Sequence, residues 1–474
     1  MEITPKREQT TDVLVLGAGM AGLCAAIAAL EKGAEVLVLE KGNRFGGSMA
    51  LSSGIVWTFA READVRIRLP EGDPALQDLL VANLTDSLGW LEVQGVELQP
   101  DQTWLGHGRG REASPLQMTA ALVDRIESLG GRILSGTAVQ SLLTRDGGVA
   151  GALAFDARGA VEVHARSVIL ATGGFQGNAE LLARYVTPYA DSMYLRANPW
   201  STGDGLLAAL DVGAATTPWL DTFYGHAMTA PPARFNALQF QDMSHKYGPL
   251  AVALNLEGRR FADESAGTGE ETLNWHIARQ PQATVAYVFD AATADRAYDG
   301  GPLARVVIDR VRQAGGPVVQ ADTLEGLAHE MQAWGFPPTQ VVATLTSYNA
   351  AVTSGNGRLL QPARRGNPFR VVRAPFTAAL VRAAITFTCG GVRTDLDMRV
   401  LRRAASVSML PLLKADRDEL QTGTIPNLYA AGCDVGGFSN RSYMGGLAQA
   451  LVTGRIAGAG AASPGEHGVV PDDG

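Results

Sequence analysis

Asp12–Gly22, which reads DVLVLGAGMAG, is the stretch of sequence that decides the fold. A mostly apolar run, Asp12–Leu16, leads into a GxGxxG sequence, and this sequence opens the alanine-rich segment Ala21–Lys32. A second such run, Glu35–Leu39, follows. Apolar strands on either side of a helix of small residues are typical of a parallel sheet that is covered on both faces. The stretch therefore predicts a Rossmann-type strand–loop–helix–strand unit.

The glycines of the GxGxxG sequence suit the binding of a pyrophosphate. Gly17 allows a tight turn, Gly19 lets the backbone approach a phosphate, and Gly22 lets the helix pack closely against the strand. The N-terminus of that helix offers N–H donors and a positive potential to the phosphates. Glu40 ends the second predicted strand, where a carboxylate accepts hydrogen bonds from a ribose diol. The unit therefore predicts a dinucleotide-binding domain.

The composition is that of an ordinary globular protein and argues against several functional classes. The chain has 474 residues, of which 46% are hydrophobic and 19% charged, which is enough material for two domains. A net charge of −8 without a long basic run argues against nucleic-acid binding. We see no apolar stretch long enough to span a membrane and no signal-peptide pattern, so we expect a cytoplasmic protein.

The cysteines predict neither a disulfide framework nor a metal centre. Cys24, Cys389 and Cys433 lie far apart and show no metal-ligand spacing. A zinc site, an iron–sulfur cluster or attached haem would need such spacing, so we expect no bound metal. A reducing compartment agrees with this usage.

Changes in amino-acid composition and pattern along the chain predict how the two domains are arranged. Apolar strands and small-residue helices recur before about residue 230 and return after about residue 385. Between them prolines, aromatic residues and charges increase. We therefore predict an α/β fold in which a discontinuous Rossmann-type domain, 1–230 and 386–474, carries an inserted α+β capping domain, 231–385. We expect the cap to close over the bound cofactor and exclude water.

Local patterns predict further elements. Residues 1–10 are polar and 463–474 are rich in proline, glycine and aspartate, so we expect both ends to be disordered. Apolar periodicity predicts additional helices and strands between these ends. These are helices Ser114–Leu129, Leu324–Trp334 and Gly446–Ala462, a hairpin over 148–165, and strands near Ile133, at Ser167–Ala171 and at Asn427–Ala431.

Further glycine-containing fragments follow the GxGxxG sequence in a fixed order. They are Gly46-Gly47-Ser48 with Ser52-Ser53-Gly54, ATGGF at 171–175, GDG at 203–205, GRRFADE at 258–264, TCGG at 388–391, LYAAG at 428–432, and GGL at 445–447 with GRIAG at 454–458. In this order they resemble the flavoprotein family of fumarate reductase, succinate dehydrogenase and the 3-ketosteroid dehydrogenases. The likeness covers nearly the whole chain and is strongest at its two ends.

The resemblance implies that the dinucleotide is FAD. The family's covalent flavin histidine would lie near Met49, where this chain has none, so we expect FAD to be bound non-covalently. In the closing strand the family usually has Glu where Cys433 stands, which puts one ribityl hydrogen bond in doubt. We see no second strand–GxGxxG–helix unit, so we expect an external electron donor or acceptor. The implied FAD contacts are Gly17, Gly19, Ala21, Gly22, Glu40, Lys41, Gly46, Gly47, Ser48, Ser53, Gly54, Val139, Ala171, Thr172, Gly173, Asp204, Cys433, Asp434, Gly446 and Leu447.

Departures from the family concern the substrate. Fumarate reductases resemble this chain at GRRFADE but carry an arginine proton donor where Thr268 stands, and they have a carboxylate-binding histidine where Phe387 stands. An alcohol and an aromatic ring grip a dicarboxylate poorly, so we expect a less charged, more apolar substrate. Thr268, Phe387 and Gly445 are the predicted substrate contacts.

Three further residues are candidates for catalysis by the same resemblance. His226 falls near a substrate-binding histidine, and Arg441 matches an arginine that holds a substrate carboxylate. Tyr443 precedes Gly445 as a catalytic tyrosine does in ketosteroid dehydrogenases. A phenol can donate to a carbonyl oxygen, and a nearby Arg441 would lower its pKa toward that of a useful base. Other side chains that could reach the flavin are His107, Trp104, His276 and Tyr224.

The predicted function is therefore that of an FAD-dependent dehydrogenase. It would introduce a carbon–carbon double bond next to the carbonyl of a cyclic ketone or keto acid, with hydride transfer to the flavin and tyrosine-assisted proton transfer. One alternative is the reverse chemistry, reduction of an unsaturated carboxylic acid, as in fumarate or urocanate reductases. Another is a flavin-binding protein without catalytic activity.

Overall fold

The computed structural model describes residues 7–104, 106–236, 239–267, 269–298, 301–366, 368–403, 423–440 and 442–463. Two predicted site residues, Thr268 and Arg441, lie outside the described residues, as do 1–6 and 464–474 of the predicted disordered ends. The strands are β1 Arg7–Leu16, β2 Val36–Leu39, β3 Ile55–Phe59, β4 Gln102–Trp104, β5 Gly108–Glu112, β6 Arg132–Leu134, β7 Ala138–Arg145, β8 Gly148–Asp156, β9 Gly159–Leu170, β10 Tyr194–Leu195, β11 Phe223–Tyr224, β12 Met228–Thr229, β13 Val252–Asn255, β14 Thr284–Phe289, β15 Val318–Ala321, β16 Phe376–Arg382, β17 Ala384–Ile385, β18 Phe387–Thr388, β19 Arg399–Leu401 and β20 Thr424–Ala430. The helices are α1 Met20–Leu30, α2 Glu62–Arg68, α3 Pro74–Val93, α4 Pro115–Ser128, α5 Ala179–Tyr185, α6 Asp204–Asp211, α7 Glu270–Ile277, α8 Ala291–Ala294, α9 Ala304–Gln313, α10 Leu324–Met331, α11 Pro338–Thr353 and α12 Gly446–Ala462.

The predicted parallel sheet is present and begins at β1. Its strand order is β19-β20-β9-β1-β2-β6, and β7 and β8 extend it from β9. β1 pairs in parallel with both β2 and β9, and the run Val13–Leu16 is buried as the apolar pattern predicts. Two expectations were wrong in detail. Residues 7–10 are not frayed, because they pair with β9, and the predicted strand Ser167–Ala171 is the end of one long strand, β9.

Small residues bring α1 and α12 together against this sheet. A side chain at Gly454 would place its Cβ 2.4 Å from the carbonyl oxygen of Ala21, and one at Gly458 would lie 2.1 Å from that of Ala25. Only glycine allows such a close approach of two helix backbones. The contact places the middle of α12 beside the start of α1.

A second sheet lies between the two parts of the first. It contains β12, β16, β14 and β13 in that order, with β15 also paired to β16, and every pair is antiparallel. Its strands fall within 228–382, whereas β9 and β20, on either side of that stretch, pair with each other in the first sheet. This connectivity agrees with an insertion. The boundaries at 230 and 385 and the closing movement remain predictions.

The GRRFADE fragment forms a buried ionic cluster next to the second sheet. Glu264 accepts hydrogen bonds from Arg260 Nε at 2.9 Å and Arg260 Nη2 at 2.6 Å. Arg364 Nη1 lies 2.8 Å from the same carboxylate, and its Nη2 donates to the carbonyl oxygen of Pro249 at 2.6 Å. Glu264 and Arg364 are fully buried, so the fragment is joined to distant parts of the chain by ion pairs that solvent does not reach. Among the described residues, no helix combines the length and the apolar character that crossing a membrane requires.

Candidate active site

A cavity of about 760 Å³ extends from the GxGxxG loop to the N-terminus of α12. Its walls come from the β1–α1 loop, the end of β2, the segment between β10 and α6, β11, and the N-termini of α7 and α12. Elements of the first sheet, the β11–β18 pair and the N-terminus of α7 therefore contribute to one cavity. This size and composition are usual for a site that holds an organic ligand.

The GxGxxG loop has the geometry that its glycines predict. Gly17 has a φ of +111°, and a Cβ there would lie 2.2 Å from the carbonyl oxygen of Ala171. A Cβ on Gly22 would lie 1.8 Å from the carbonyl oxygen of Gly17. Gly19 lines the cavity and precedes the first residue of α1, so the helix N-terminus points its free N–H groups at the cavity.

Glu40 lies at this end of the cavity, at the position where a ribose would bind. Its side chain is buried, and its two carboxylate oxygens accept hydrogen bonds from the N–H of Ala18 at 2.8 Å and of Gly42 at 2.7 Å. The carboxylate therefore fixes the phosphate loop and still has lone pairs for hydroxyl donors.

We predict that Glu40→Ala weakens FAD binding by about 1–3 kcal/mol, because ribose hydroxyls and two loop N–H groups lose a buried acceptor. Fluorescence titration of apoprotein with FAD measures the change. The matched control is Glu35→Gln, an exposed acid just before the same strand, which should bind FAD as the wild type does. Equal affinity in Glu40→Ala and wild type would show that Glu40 does not contact the cofactor.

Most of the predicted cofactor contacts line the cavity. These are Gly17, Gly19, Ala21, Glu40, Lys41, Gly47, Ser48, Ser53, Val139, Ala171, Thr172, Gly173, Asp204, Cys433, Gly446 and Leu447. The remaining four predicted contacts are not among the lining residues. They are Gly22, Gly46, Gly54 and Asp434.

Asp434 does not line the cavity but hydrogen-bonds a loop that does. Its carboxylate accepts hydrogen bonds from the N–H and hydroxyl of Thr172 and, at 3.2 Å, from the N–H of Gly174. It is buried, so it holds the ATGGF loop while Cys433, the residue before it, faces the cavity. Burial raises the pKa of the Cys433 thiol, which leaves a neutral, weak hydrogen-bond donor at this position.

Aromatic residues form the opposite end of the cavity. Tyr224 and Phe387 face each other across the antiparallel pair β11–β18. The ring of Tyr224 stacks on that of Tyr443, with centroids 4.0 Å apart and an interplanar angle of 17°. Trp57 completes the cluster with its ring centroid 5.4 Å from that of Tyr443. The structure thus brings together predicted residues Tyr443 and Phe387. Gly445 is not among the lining residues, and it packs against the Trp57 backbone, whose carbonyl oxygen a Cβ on Gly445 would meet at 1.7 Å.

The phenols at this end are held in their neutral form. Burial raises the pKa of Tyr443, and hydrogen bonds with the Gly446 backbone and Trp57, followed by the charge of Arg196, oppose this only in part. Burial also raises the pKa of Tyr224 well above its usual value. The sequence-based expectation that Arg441 lowers the pKa of Tyr443 stays a prediction, because Arg441 lies outside the described residues.

His226 links Tyr224 to a buried acid. His226 Nε2 lies 2.9 Å from the Tyr224 hydroxyl, and its Nδ1 makes a short contact with Glu270. The second Glu270 oxygen accepts from the N–H of Ala227 at 2.8 Å. Burial lowers the pKa of His226 well below its usual value and raises the pKa of Glu270 to about 7. The result is a hydrogen-bonded chain, Tyr224–His226–Glu270, which ends in the cavity.

Other ionisable side chains near Tyr224, His226 and Glu270 were not identifiable as site residues from the sequence. Arg196, Lys246 and Glu271 all line the cavity, yet none belongs to the fragments that carry the resemblance. His226, Glu270 and Glu271 place one ligand atom each within 4.8 Å of one another, a spacing compatible with a cation. Arg196 and Lys246 on the same wall disfavour a cation by charge repulsion, so the prediction of no bound metal stands as a prediction.

The fold and cavity together define a dinucleotide-binding α/β protein with an ionisable site at one end of its cofactor cleft. Residues 12–447 match the family described as FAD binding domain, and the chain belongs to this family. The resemblance seen in the sequence is thereby confirmed. The protein is an FAD-dependent oxidoreductase, and such an enzyme needs a small-molecule substrate and an electron partner.

Known relatives agree with this assignment. A probable fumarate reductase of Shewanella frigidimarina is 28% identical over 96% of this chain and 75% of its own. The structure of an open flavocytochrome c3 fumarate reductase is similar with a TM-score of 0.68 and 26% identity, over 96% of this chain and 78% of that one. A 3-ketosteroid delta1-dehydrogenase from Sterolibacterium denitrificans shares the fold, with a TM-score of 0.69 and 19% identity over 96% and 99% of the two chains.

The residues of the cavity fit FAD. The GxGxxG backbone and the α1 N-terminus suit the pyrophosphate, Glu40 suits the ribose, and the N-terminus of α12 at Gly446 offers positive potential near the aromatic end. When bound there, FAD supplies the acceptor or donor of a hydride.

Proposed function

We propose that this protein forms or removes a carbon–carbon double bond next to a carbonyl group, with Tyr224, His226 and Glu270 moving the proton. The observation that carries the proposal is the hydrogen-bonded chain from Tyr224 to Glu270, which ends beside Tyr443 in the FAD cavity. Dehydrogenation of a cyclic keto acid or ketone is the direction that we favour. The aromatic surfaces of Phe387 and Tyr443 suit a ring.

In the direction of dehydrogenation, the hydrogen-bonded series Tyr224–His226–Glu270 acts as a base. When Glu270 is ionised, His226 donates from Nδ1 to Glu270 and accepts the Tyr224 hydroxyl at Nε2. The Tyr224 oxygen can then take a proton from the carbon next to the carbonyl while its own proton passes to Nε2. When Glu270 is protonated, the hydrogen bonds reverse, and the Tyr224 O–H is free to donate to the substrate.

Tyr443 serves the carbonyl group in this proposal. Its pKa is raised, so it remains a donor at neutral pH and can hydrogen-bond the oxygen on which negative charge develops. Stacking against Tyr224 places the group that moves the proton and the group that stabilises the oxygen side by side. Arg441 has no place in this account, because it lies outside the described residues.

We predict a pH dependence that follows Glu270. Because burial raises its pKa to about 7, ionised Glu270 accumulates as the pH rises through that value. Substrate-driven flavin reduction should therefore speed up from pH 6 to 8 and level off above, and ene-reduction should show the opposite trend. Stopped-flow measurement should show that Glu270→Gln loses this rise in rate between pH 6 and 8. The control variant Asp242→Asn, which changes an exposed acid, should keep it. Persistence of the rise in Glu270→Gln would contradict the assignment.

We also propose that FAD is bound non-covalently, since the chain has no histidine near Met49, where the resemblance implies the attachment histidine. Precipitating the denatured holoprotein should release all flavin into the supernatant. Flavin that stays with the precipitate would contradict this prediction. An external electron donor or acceptor and a cytoplasmic location complete the proposal.

A second candidate is reduction of an unsaturated carboxylic acid. The Arg196 guanidinium beside the aromatic cluster favours an acid as substrate in either direction. A flavin-binding protein without catalysis is the remaining alternative, and a purified protein that takes up no FAD, or reacts with no ketone or acid, would favour it.

A further inference from the structure

We infer that Arg196 binds a carboxylate of the substrate, so that the protein acts on keto acids or unsaturated acids and discriminates against neutral ketones. The inference deepens the proposed function and rests on it for the location of the substrate. It also modifies the sequence-based expectation of a less charged substrate, because this half-buried cation comes from a segment that carries no family fragment.

The position of Arg196 is fixed by its backbone and by an aromatic ring. It directly follows β10, and its N–H donates to the carbonyl oxygen of Ile385 at 2.8 Å. The guanidinium lies over the ring of Phe240, with its Cζ 4.0 Å from the ring centroid. A stacked guanidinium keeps the N–H groups at its edge available for a planar partner.

The guanidinium of Arg196 is half-buried and has no anionic partner among the described residues. Tyr224 hydrogen-bonds this side chain, but its Nε and Nη1 have no hydrogen-bond partner among the described residues. No carboxylate of the described residues forms an ion pair with it within 4 Å. The buried arginines Arg260 and Arg364, by contrast, both pair with Glu264. Arg196 therefore differs from them in lacking an anion.

The acids near Arg196 do not supply that anion. Desolvation lowers the pKa of Arg196, and the charge of Glu270 offsets this only in part. The two Glu270 oxygens are engaged by His226 and by the Ala227 N–H. Lys246 adds a second positive charge to the same wall. A cation that is partly removed from water and has no anionic partner is destabilising, and a carboxylate is the anion that a guanidinium binds most strongly. A bound carboxylate would supply the missing negative charge.

The neighbours of Arg196 assign the carboxylate to the substrate. The groups that influence its pKa besides Glu270 are Tyr224 and Tyr443, which form the aromatic end of the cavity. Phosphate binding is expected at the opposite end, at Gly17 and the α1 N-terminus. A substrate held by Arg196 would place its carbonyl near the tyrosine pair.

Binding of acid and amide pairs to the oxidised holoprotein tests the inference. The probes are cinnamate with cinnamamide and cyclohexene-1-carboxylate with its amide, and binding is followed by perturbation of the flavin spectrum, without turnover. The wild type should prefer each acid. In Arg196→Gln the dissociation constant of the acids should rise about 10- to 150-fold, with little change for the amides, as expected for a lost charge-assisted hydrogen bond.

Two variants and two further readouts separate the possible outcomes. Arg196→Lys keeps the charge but loses the fork, and should bind the acids with intermediate affinity. Arg382→Gln, another arginine stacked on an aromatic ring, should behave as wild type. FAD content and thermal unfolding report on folding. A wild type that binds no acid, or binds amides equally well, overturns the inference, as does an Arg196→Gln protein of full FAD content with unchanged affinity for the acids. Turnover of a neutral ketone with such results would leave the proposed chemistry intact.

Discussion

Glu264→Ala should destabilise the protein by about 3–5 kcal/mol, because it leaves Arg260 and Arg364 as buried cations without their shared carboxylate. Both arginines donate to Glu264, and Arg364 is fully buried. Glu264 therefore contributes to stability as the shared partner of two buried arginines.

Urea unfolding of the FAD-saturated protein measures this effect. Glu257→Gln is the matched control, since Glu257 is an exposed acid just before the same fragment and should change stability by less than about 0.5 kcal/mol. A loss below about 1 kcal/mol in Glu264→Ala would contradict the cluster as described.

Tyr224→Phe should slow substrate-driven flavin reduction by about 10²–10⁴-fold, equivalent to about 3–5 kcal/mol of barrier. The substitution keeps the ring that stacks on Tyr443 and removes only the hydroxyl that contacts His226. Packing should therefore change little, while the end of the proton chain is lost. Tyr443→Phe should also slow the reaction, by about 10²–10³-fold, because it removes a donor to the developing oxyanion.

Single-turnover kinetics with quantified flavin separate these roles. Tyr247→Phe is the matched control, because Tyr247 is a buried phenol that hydrogen-bonds His245 away from the cavity. It should react at the wild-type rate. Tyr443→Phe should retain the pH dependence that follows Glu270, and Tyr224→Phe should lose it. A fall of less than about tenfold in Tyr224→Phe at full flavin occupancy would mean that another group moves the proton.

The cofactor half of the site was predictable because its determinants are local. The stretch from Gly17 to Glu40 is one strand–loop–helix–strand unit, so residue spacing alone places the glycines and the acid at one end of a parallel sheet. The burial of β1 and the glycine contacts of α1 follow from the same pattern. Asp434 shows the limit of such reasoning. It was predicted to contact FAD, but its carboxylate hydrogen-bonds the ATGGF loop instead of lining the cavity.

The catalytic half depends on contacts between distant segments. Tyr224 meets Tyr443 and Glu270 meets His226 only because the β11–β18 pair and the N-termini of α7 and α12 converge. Neither Glu270 nor Arg196 lies in a repeated or spaced pattern. Their raised or lowered pKa values come from burial, which no local pattern records. Tertiary packing therefore decided the part that sequence reasoning missed.

The most direct measurement is anaerobic mixing of the oxidised holoprotein with a panel of saturated cyclic keto acids and ketones, and of the reduced holoprotein with the matching unsaturated acids. The account predicts that at least one acid-bearing member bleaches or restores the flavin absorption in a single turnover, with a carbon–carbon double bond gained or lost next to its carbonyl. A holoprotein whose flavin responds to no member of either panel, although a chemical reductant bleaches it, would contradict the account.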